Sequence, residues 1–217
     1  KSASLVYSTG CTVFSQGHAI EETVEAMSGC ETVVVCLGGS SSRFASDDAE
    51  FDANGAVKNQ GAVTMDCGEN VDNSSLELPG QQYALLKAMK ALGKPVITVV
   101  IAGRPHESWL LDETCDALVY SFYPGLTGGE ALAKLLFGQI EPAGRLNASL
   151  PNKSHQLPCY YNHKDSYRPM HYFDGAARPK YGFGCGMGYT TFGFELVEAP
   201  EGDAKTVTFT VTNTGSR

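Results

Sequence analysis

Four short runs of apolar, mostly β-branched residues constrain this chain more than any other feature. They lie at residues 4–7, 32–37, 96–101 and 117–121. Each run is continuous rather than alternating, which is the pattern of strands buried on both faces of a parallel sheet. Helical patterns fall between them, at residues 19–27, 81–92 and 106–111, with a fourth at 128–137 after the last run. Short breaks such as Gly93-Lys94-Pro95 and Tyr123-Pro124-Gly125 separate the segments. Strand and helix in alternation read as βαβ units, so the expected fold is α/β, a three-layer α/β sandwich whose mainly parallel sheet is flanked by helices. Ligands of such sheets collect at the carboxyl ends of the strands.

Two stretches break this rhythm. Residues 38–78 are too long for an ordinary connection and are rich in Gly, Ser, Asp and Asn. A loop of that length within a compact domain is usually functional, and this one leaves the carboxyl end of the run at 32–37. The tail at residues 205–213 alternates polar and apolar positions strictly, as a half-buried antiparallel strand does. A single strand cannot form a domain, so a β-sandwich is expected to begin there and to be truncated.

Composition narrows the function. With 217 residues and 42% hydrophobic content the chain can bury a core without staples. A formal net charge of -8, with no Lys/Arg run to follow phosphates, argues against nucleic acid as a partner. No apolar run approaches the roughly 20 residues that a membrane-spanning helix needs. Lys1-Ser2-Ala3-Ser4-Leu5 has neither an initiator Met nor a signal-peptide core, so the chain is expected to start inside a longer protein. Seven cysteines, an odd number without C-x-x-C spacing, read as structural thiols of a reducing compartment and favour the cytoplasm. The histidines at 18, 106, 155, 163 and 171 are scattered, and no metal site is expected.

The long loop ends in Met65-Asp66-Cys67-Gly68-Glu69-Asn70-Val71-Asp72, with three acidic groups in seven residues, before Pro79 opens a helix. Loop carboxylates are commonly solvated or turn-forming, and spacing alone does not make these catalytic. Gly38-Gly39-Ser40-Ser41-Ser42-Arg43 invites a phosphate-loop reading but lacks the G-K-[ST] ending. It reads as a strand-end turn, with Arg43 a sugar or loop contact. His106, Glu107 and Trp109 open a short helix and read as packing and capping residues. The glycine-dense residues 182–188 read as a tight surface loop.

Gly68-Glu69-x-x-Asp72 followed by Leu76-x-Leu78-Pro79-Gly80-x-Gln82 closely resembles the G-E-x-x-D-R-x-x-L-x-L-P-G-x-Q signature of family 3 glycoside hydrolases. The similarity continues through Gly93-Lys94-Pro95-Val96, Gly103-x-Pro105, Trp109 and Tyr123-Pro124-Gly125-x-x-Gly128-Gly129. It runs on through Gly138-x-x-x-Pro142-x-Gly144-Arg145-Leu146, Leu150-Pro151, Leu157-Pro158, Tyr181-Gly182-Phe183-Gly184 and Gly188-Tyr189-Thr190-x-Phe192.

The resemblance implies that residues 1–195 form the α/β sandwich of such an enzyme. Residues 196–217 would be a linker and the first strand of a truncated fibronectin III-like domain. It implies a partner within the same protein, an N-terminal TIM-like barrel carrying an aspartate nucleophile, while Glu69 serves as general acid/base. A retaining glycosidase needs such a carboxyl about 5 Å from its nucleophile, first to protonate the leaving oxygen and then to deprotonate water. No metal or organic cofactor is implied. Asp72 matches the aspartate of the family's D-R pair and is a candidate sugar contact or turn residue, but Asn73 stands where the family has arginine. The substrate class would be β-linked glucosides or xylosides, since some N-acetylglucosaminidases of the family carry their acid/base on the barrel instead. Without its barrel the domain should expose an apolar patch and self-associate. Two rival readings are a free-standing carbohydrate-binding module without catalysis and a purely structural domain that packs a barrel.

Overall fold

The computed structural model describes residues 3–14, 19–41, 53–54, 65–68, 71–162, 171–198, 202 and 205–216. The chain divides into two compact units, one of residues 1–124 and 148–183, the other of residues 125–147 and 184–217.

In the first unit three strands, β1 (Val33–Gly38), β2 (Val96–Ile101) and β3 (Ala117–Tyr120), form a parallel sheet in the order β1-β2-β3. Val33 pairs with Val96 and Gly38 with Ile101, so β1 and β2 end level with each other at their carboxyl ends. Among the described residues this unit holds the α-helices α1 (Ile20–Met27), α2 (Gln82–Ala91) and α3 (Trp109–Thr114). The core joins Val33, Val35 and Leu37 of β1 with Val96 and Val100 of β2, Met27 of α1, Leu85, Leu86 and Met89 of α2, and Leu111 of α3. Leu85, Leu86 and Met89 share one face of α2 because residues one and four apart fall within one helical stripe. Gly93, with φ +69°, ends α2 in the left-handed conformation that glycine reaches without steric penalty, and its N–H bonds the Lys90 carbonyl. The chain then turns directly into β2.

The parallel α/β fold expected from the sequence is the one observed, with three local differences. Central β2 is buried along most of its length, but β1, at an edge, alternates: Val33 and Val35 are buried while Val34 and Cys36 are exposed. The run at residues 4–7 forms no strand, and Leu5 and Tyr7 are exposed. The helix expected at 106–111 starts only at Trp109, and the three N–H groups before it have tertiary partners. His106 N–H bonds the Tyr120 hydroxyl, Glu107 N–H the Leu76 carbonyl and Ser108 N–H the Pro151 carbonyl.

The second unit holds α4 (Gly128–Leu136) and an antiparallel hairpin of β6 (Phe192–Glu198) with β7 (Thr208–Asn213). The tail strand therefore has a partner, contrary to the expectation that it stands alone. Phe194, Leu196, Phe209 and Val211 of the hairpin are exposed. A minor pair, β4 (His171–Tyr172) with β5 (Gly175–Ala176), belongs to the first unit.

Candidate active-site loop

The carboxyl ends of β1 and β2 lie so close that only glycine fits at the end of β1. A Cβ on Gly38 would lie 1.7 Å from the Ile101 carbonyl oxygen. Gln82, at the start of α2, locks this strand end. Its Oε1 accepts from the Gly38 N–H at 2.7 Å, and its Nε2 donates to the Gly38 carbonyl at 2.8 Å and to the Pro79 carbonyl at 3.0 Å. The side-chain amide thereby acts as one more residue of sheet on an otherwise unpaired peptide, and this is the physical content of the P-G-x-Q spacing.

The long loop leaves from this point and returns to it. Ser40 N–H donates to Asp66 Oδ1 at 2.6 Å, and Asp66 N–H donates to the Ser40 carbonyl at 2.9 Å, so start and end are joined across 26 positions. Gly39 must be glycine as well, since a Cβ there would lie 2.4 Å from Asp66 Oδ1. Cys67 Sγ lies 3.2 Å from the Tyr123 hydroxyl, and both pack over Gly103. Tyr123 follows Phe122, whose φ of +51° is a strained conformation for a bulky side chain at the end of β3.

Of the residues nominated from the sequence, Glu69 and Arg43 lie outside the described residues. Glu69 belongs to the chain between Gly68 and Val71, whose backbones are joined by a Val71 N–H to Gly68 carbonyl bond of 3.2 Å. Asp72 is described, and its Oδ1 accepts from Arg104 Nη1 at 2.6 Å and from the Asn73 N–H at 2.9 Å. Arg104 and the Asn73 amide hold the Asp72 carboxyl below the usual carboxylate range. Asp72 is therefore paired with a guanidinium from the β2–α3 turn. Arg104 occupied the unspecified position of Gly103-x-Pro105, so no sequence pattern singled it out.

Behind the loop's end sits a polar network that spacing did not reveal. Asp66 is 3% and His106 0% exposed, and His106 Nε2 lies 3.8 Å from Asp66 Oδ2. Among the described residues neither of these two atoms has a hydrogen-bond partner. His106 Nδ1 lies 3.0 Å from the Leu76 carbonyl, and the Tyr120 hydroxyl, which accepts from the His106 N–H, donates to the Arg104 carbonyl at 2.6 Å. Burial pushes the His106 imidazole below its ordinary range, against the pull of the Leu76 carbonyl and the Asp66 carboxylate. Burial likewise pushes Tyr120 up, and Tyr83 up to about 12, so both phenols remain donors.

Glu107 is also buried but fully used. It accepts from Ser154 N–H at 2.7 Å, Ser154 Oγ at 2.5 Å and Trp109 Nε1 at 2.9 Å, while Ser154 Oγ in turn accepts from Leu76 N–H. These bonds bear out the packing role read for Glu107 and Trp109. An open cleft of about 370 Å³ lies alongside, lined among others by Ser74, Glu77, Trp109, Lys153 and His155. Lys153 Nζ sits 5.5 Å from the centre of the Trp109 ring and covers it. Among the described residues no cluster of His, Cys, Asp and Glu is arranged to hold a metal ion, and no helix is long and apolar enough to cross a membrane.

Known proteins resemble this chain in sequence and fold. The family model described as glycosyl hydrolase family 3 C-terminal domain matches residues 8–189. A xylan 1,4-beta-xylosidase of Xylanibacter ruminicola is 36% identical over 91% of this chain and 21% of its own length. A periplasmic beta-glucosidase of Salmonella typhimurium is 37% identical over 69% of this chain and 21% of its own. Among solved structures, a β-glucosidase from Erythrobacter marinus superimposes with a TM-score of 0.69 at 35% identity, over 91% of this chain and 25% of that one. The chain thus spans about a fifth of the length of the relatives it matches. Match, identity and fold agree, and the chain belongs to glycoside hydrolase family 3, as the C-terminal domain of that family.

Proposed function

We propose that this chain is part of a retaining β-glycosidase acting on terminal β-linked glucosides or xylosides, and that Glu69 is its general acid/base. The observation that carries this reading is the family match over residues 8–189 in a chain spanning 21% of its relatives. It fits a domain that completes an active site supplied mostly from elsewhere in the protein. In this reading the nucleophile lies on an N-terminal barrel, and residues 196–217 lead into a further β-sandwich domain. The isolated chain then has no hydrolytic activity of its own.

The geometry supports this placement of the acid/base. Glu69 lies three residues after Asp66 and three before Asp72. Asp66 is tied to Ser40 and Asp72 to Arg104, so the chain is held on both sides of the carboxyl that must meet the leaving oxygen. Proton donation matters most when the leaving group is a poor one. In the full-length enzyme Glu69→Ala is expected to cost roughly 10²–10⁴-fold in kcat on an alkyl glycoside and far less on a dinitrophenyl glycoside. Azide should partly restore the turnover, because the nucleophile still works. Unchanged activity on both substrates would leave only the structural reading of the domain, whereas sugar binding without any turnover by the full-length protein would favour a carbohydrate-binding module.

A further inference from the structure

The structure assigns the open cleft beside Trp109 as a binding site for a neutral, β-linked sugar chain of the glucan or xylan type. The choice of glycan rests on the glycosidase reading of the chain, whereas the assignment to an uncharged sugar rests on the lining of the cleft.

Trp109 is the sole tryptophan of the chain, and its ring is fixed by partners of its own. Its Nε1–H donates to Glu107 Oε2 at 2.9 Å. Glu107 is 5% exposed and is held in turn by the N–H and the hydroxyl of Ser154. A ring pinned at its edge keeps its faces for a ligand and has little rotamer freedom left to lose on binding. His155, on the same cleft, meets Tyr172 edge to face with ring centres 4.8 Å apart, which adds aromatic surface to the wall. The walls come from the segment before α2, the start of α3 and the segment at 153–155, all within the first compact unit. A volume of about 370 Å³ falls within the roughly 300–1,000 Å³ of small-molecule sites.

The polar groups around the ring decide the class of ligand. Ser74, Glu77, Lys153 and His155 line the cleft and are exposed. The Lys153 ammonium only donates, the Glu77 carboxylate only accepts, and the Ser74 hydroxyl does both. A sugar hydroxyl also does both, so it can pair with each of them. An anion would face Glu77 and a cation would face Lys153, while an apolar molecule would take water from all of these groups and return nothing. The axial C–H groups of a β-linked pyranose form an apolar face that suits an aromatic plane, and its equatorial hydroxyls point outward to such a rim. Lys153 Nζ lies 5.5 Å from the centre of the Trp109 ring. An exposed ammonium on a flexible four-carbon stem can yield the ring face to a sugar and donate to a hydroxyl instead.

The test is affinity electrophoresis of the full-length protein in gels holding soluble xylan or mixed-linkage β-glucan, with carboxymethyl-cellulose as the anionic control. The parent is expected to be retarded by a neutral polymer, and more strongly than by the anionic one. Trp109→Ala and the double variant Glu77→Ala/His155→Ala should each weaken that retardation roughly 5- to 30-fold, the effect of truncating a central contact. Melting temperatures show whether the variants fold, and if Trp109→Ala does not, the double variant of exposed residues decides. A parent that no neutral polymer retards, equal retardation of parent and variants, or stronger retardation by carymethyl-cellulose would each overturn the assignment. Hydrolysis of 4-nitrophenyl β-glucoside and β-xyloside by the parent, measured in parallel, separates the two readings. Retardation without hydrolysis refutes the glycosidase reading and keeps the cleft, and hydrolysis without retardation refutes the cleft alone.

Discussion

Single side chains fix the loop of this domain in large part through bonds to backbone. Gln82 is the clearest case, since it satisfies both the N–H and the carbonyl of Gly38. Replacing it with Leu leaves two buried peptide groups without partners, at about 1–3 kcal/mol each, and urea denaturation of the full-length protein should read that loss. Gln82→Glu keeps the acceptor but replaces the donor, so it should fall between Leu and the parent. The P-G-x-Q spacing was legible in the sequence, and so was the acidic cluster from Asp66 to Asp72. The division of labour within the cluster was not. Spacing places three carboxyls near each other, but only the packing of Gly39 and Ser40 against Asp66 shows that this one is buried and structural. His106 was read as packing, yet its second nitrogen faces a carboxyl 40 positions earlier, and no local pattern encodes that.

At the scale of elements, the ends of β2 and α2 depend on one exposed carboxylate. Asp116 accepts from the Val96 N–H at 2.8 Å and from Lys90 Nζ at 2.7 Å, so it joins the start of β2 to the last turn of α2. The Lys90 bond, aided by the Val96 amide, holds its folded-state carboxyl below the ordinary value. Lys180 and Tyr181 do the same for Asp112 in α3. A carboxyl lowered on folding stabilises above its unfolded pKa of about 3.9, and that contribution is lost as pH falls through the folded value. Thermal unfolding followed from about pH 6 to pH 3 should therefore show Asp116→Asn converging on the parent in acid and lying below it near neutrality. The strands at 33–38, 96–101 and 117–120 were legible because β-branched runs bounded by Gly and Pro carry their own signal. The run at 4–7 carries the same signal without becoming a strand, because a strand needs a partner and pairing is not local. The start of α3 lies later than its pattern suggests, and the segment before it is held by bonds to Leu76, Tyr120 and Pro151, residues that no local pattern connects to it.

At the scale of the whole molecule, the parallel sheet and its helices account for a domain of a family 3 enzyme, and the hairpin of β6 and β7 belongs to a separate compact unit. That hairpin exposes Phe194, Leu196, Phe209 and Val211 to water. The 217-residue chain on its own should therefore self-associate. Sedimentation velocity should show species above the monomer that diminish in Phe194→Ser/Phe209→Ser, and a parent that stays monomeric at high concentration would refute this. The two bonds between Ser40 and Asp66 have a different consequence. Because they close the base of the loop, what lies between them can be exchanged like a cassette without disturbing the sheet that carries it. Each doubling of such an insert costs only about 0.6 kcal/mol of closure entropy. Changes in the length of residues 41–65 are then nearly free of cost to the folding of the sheet.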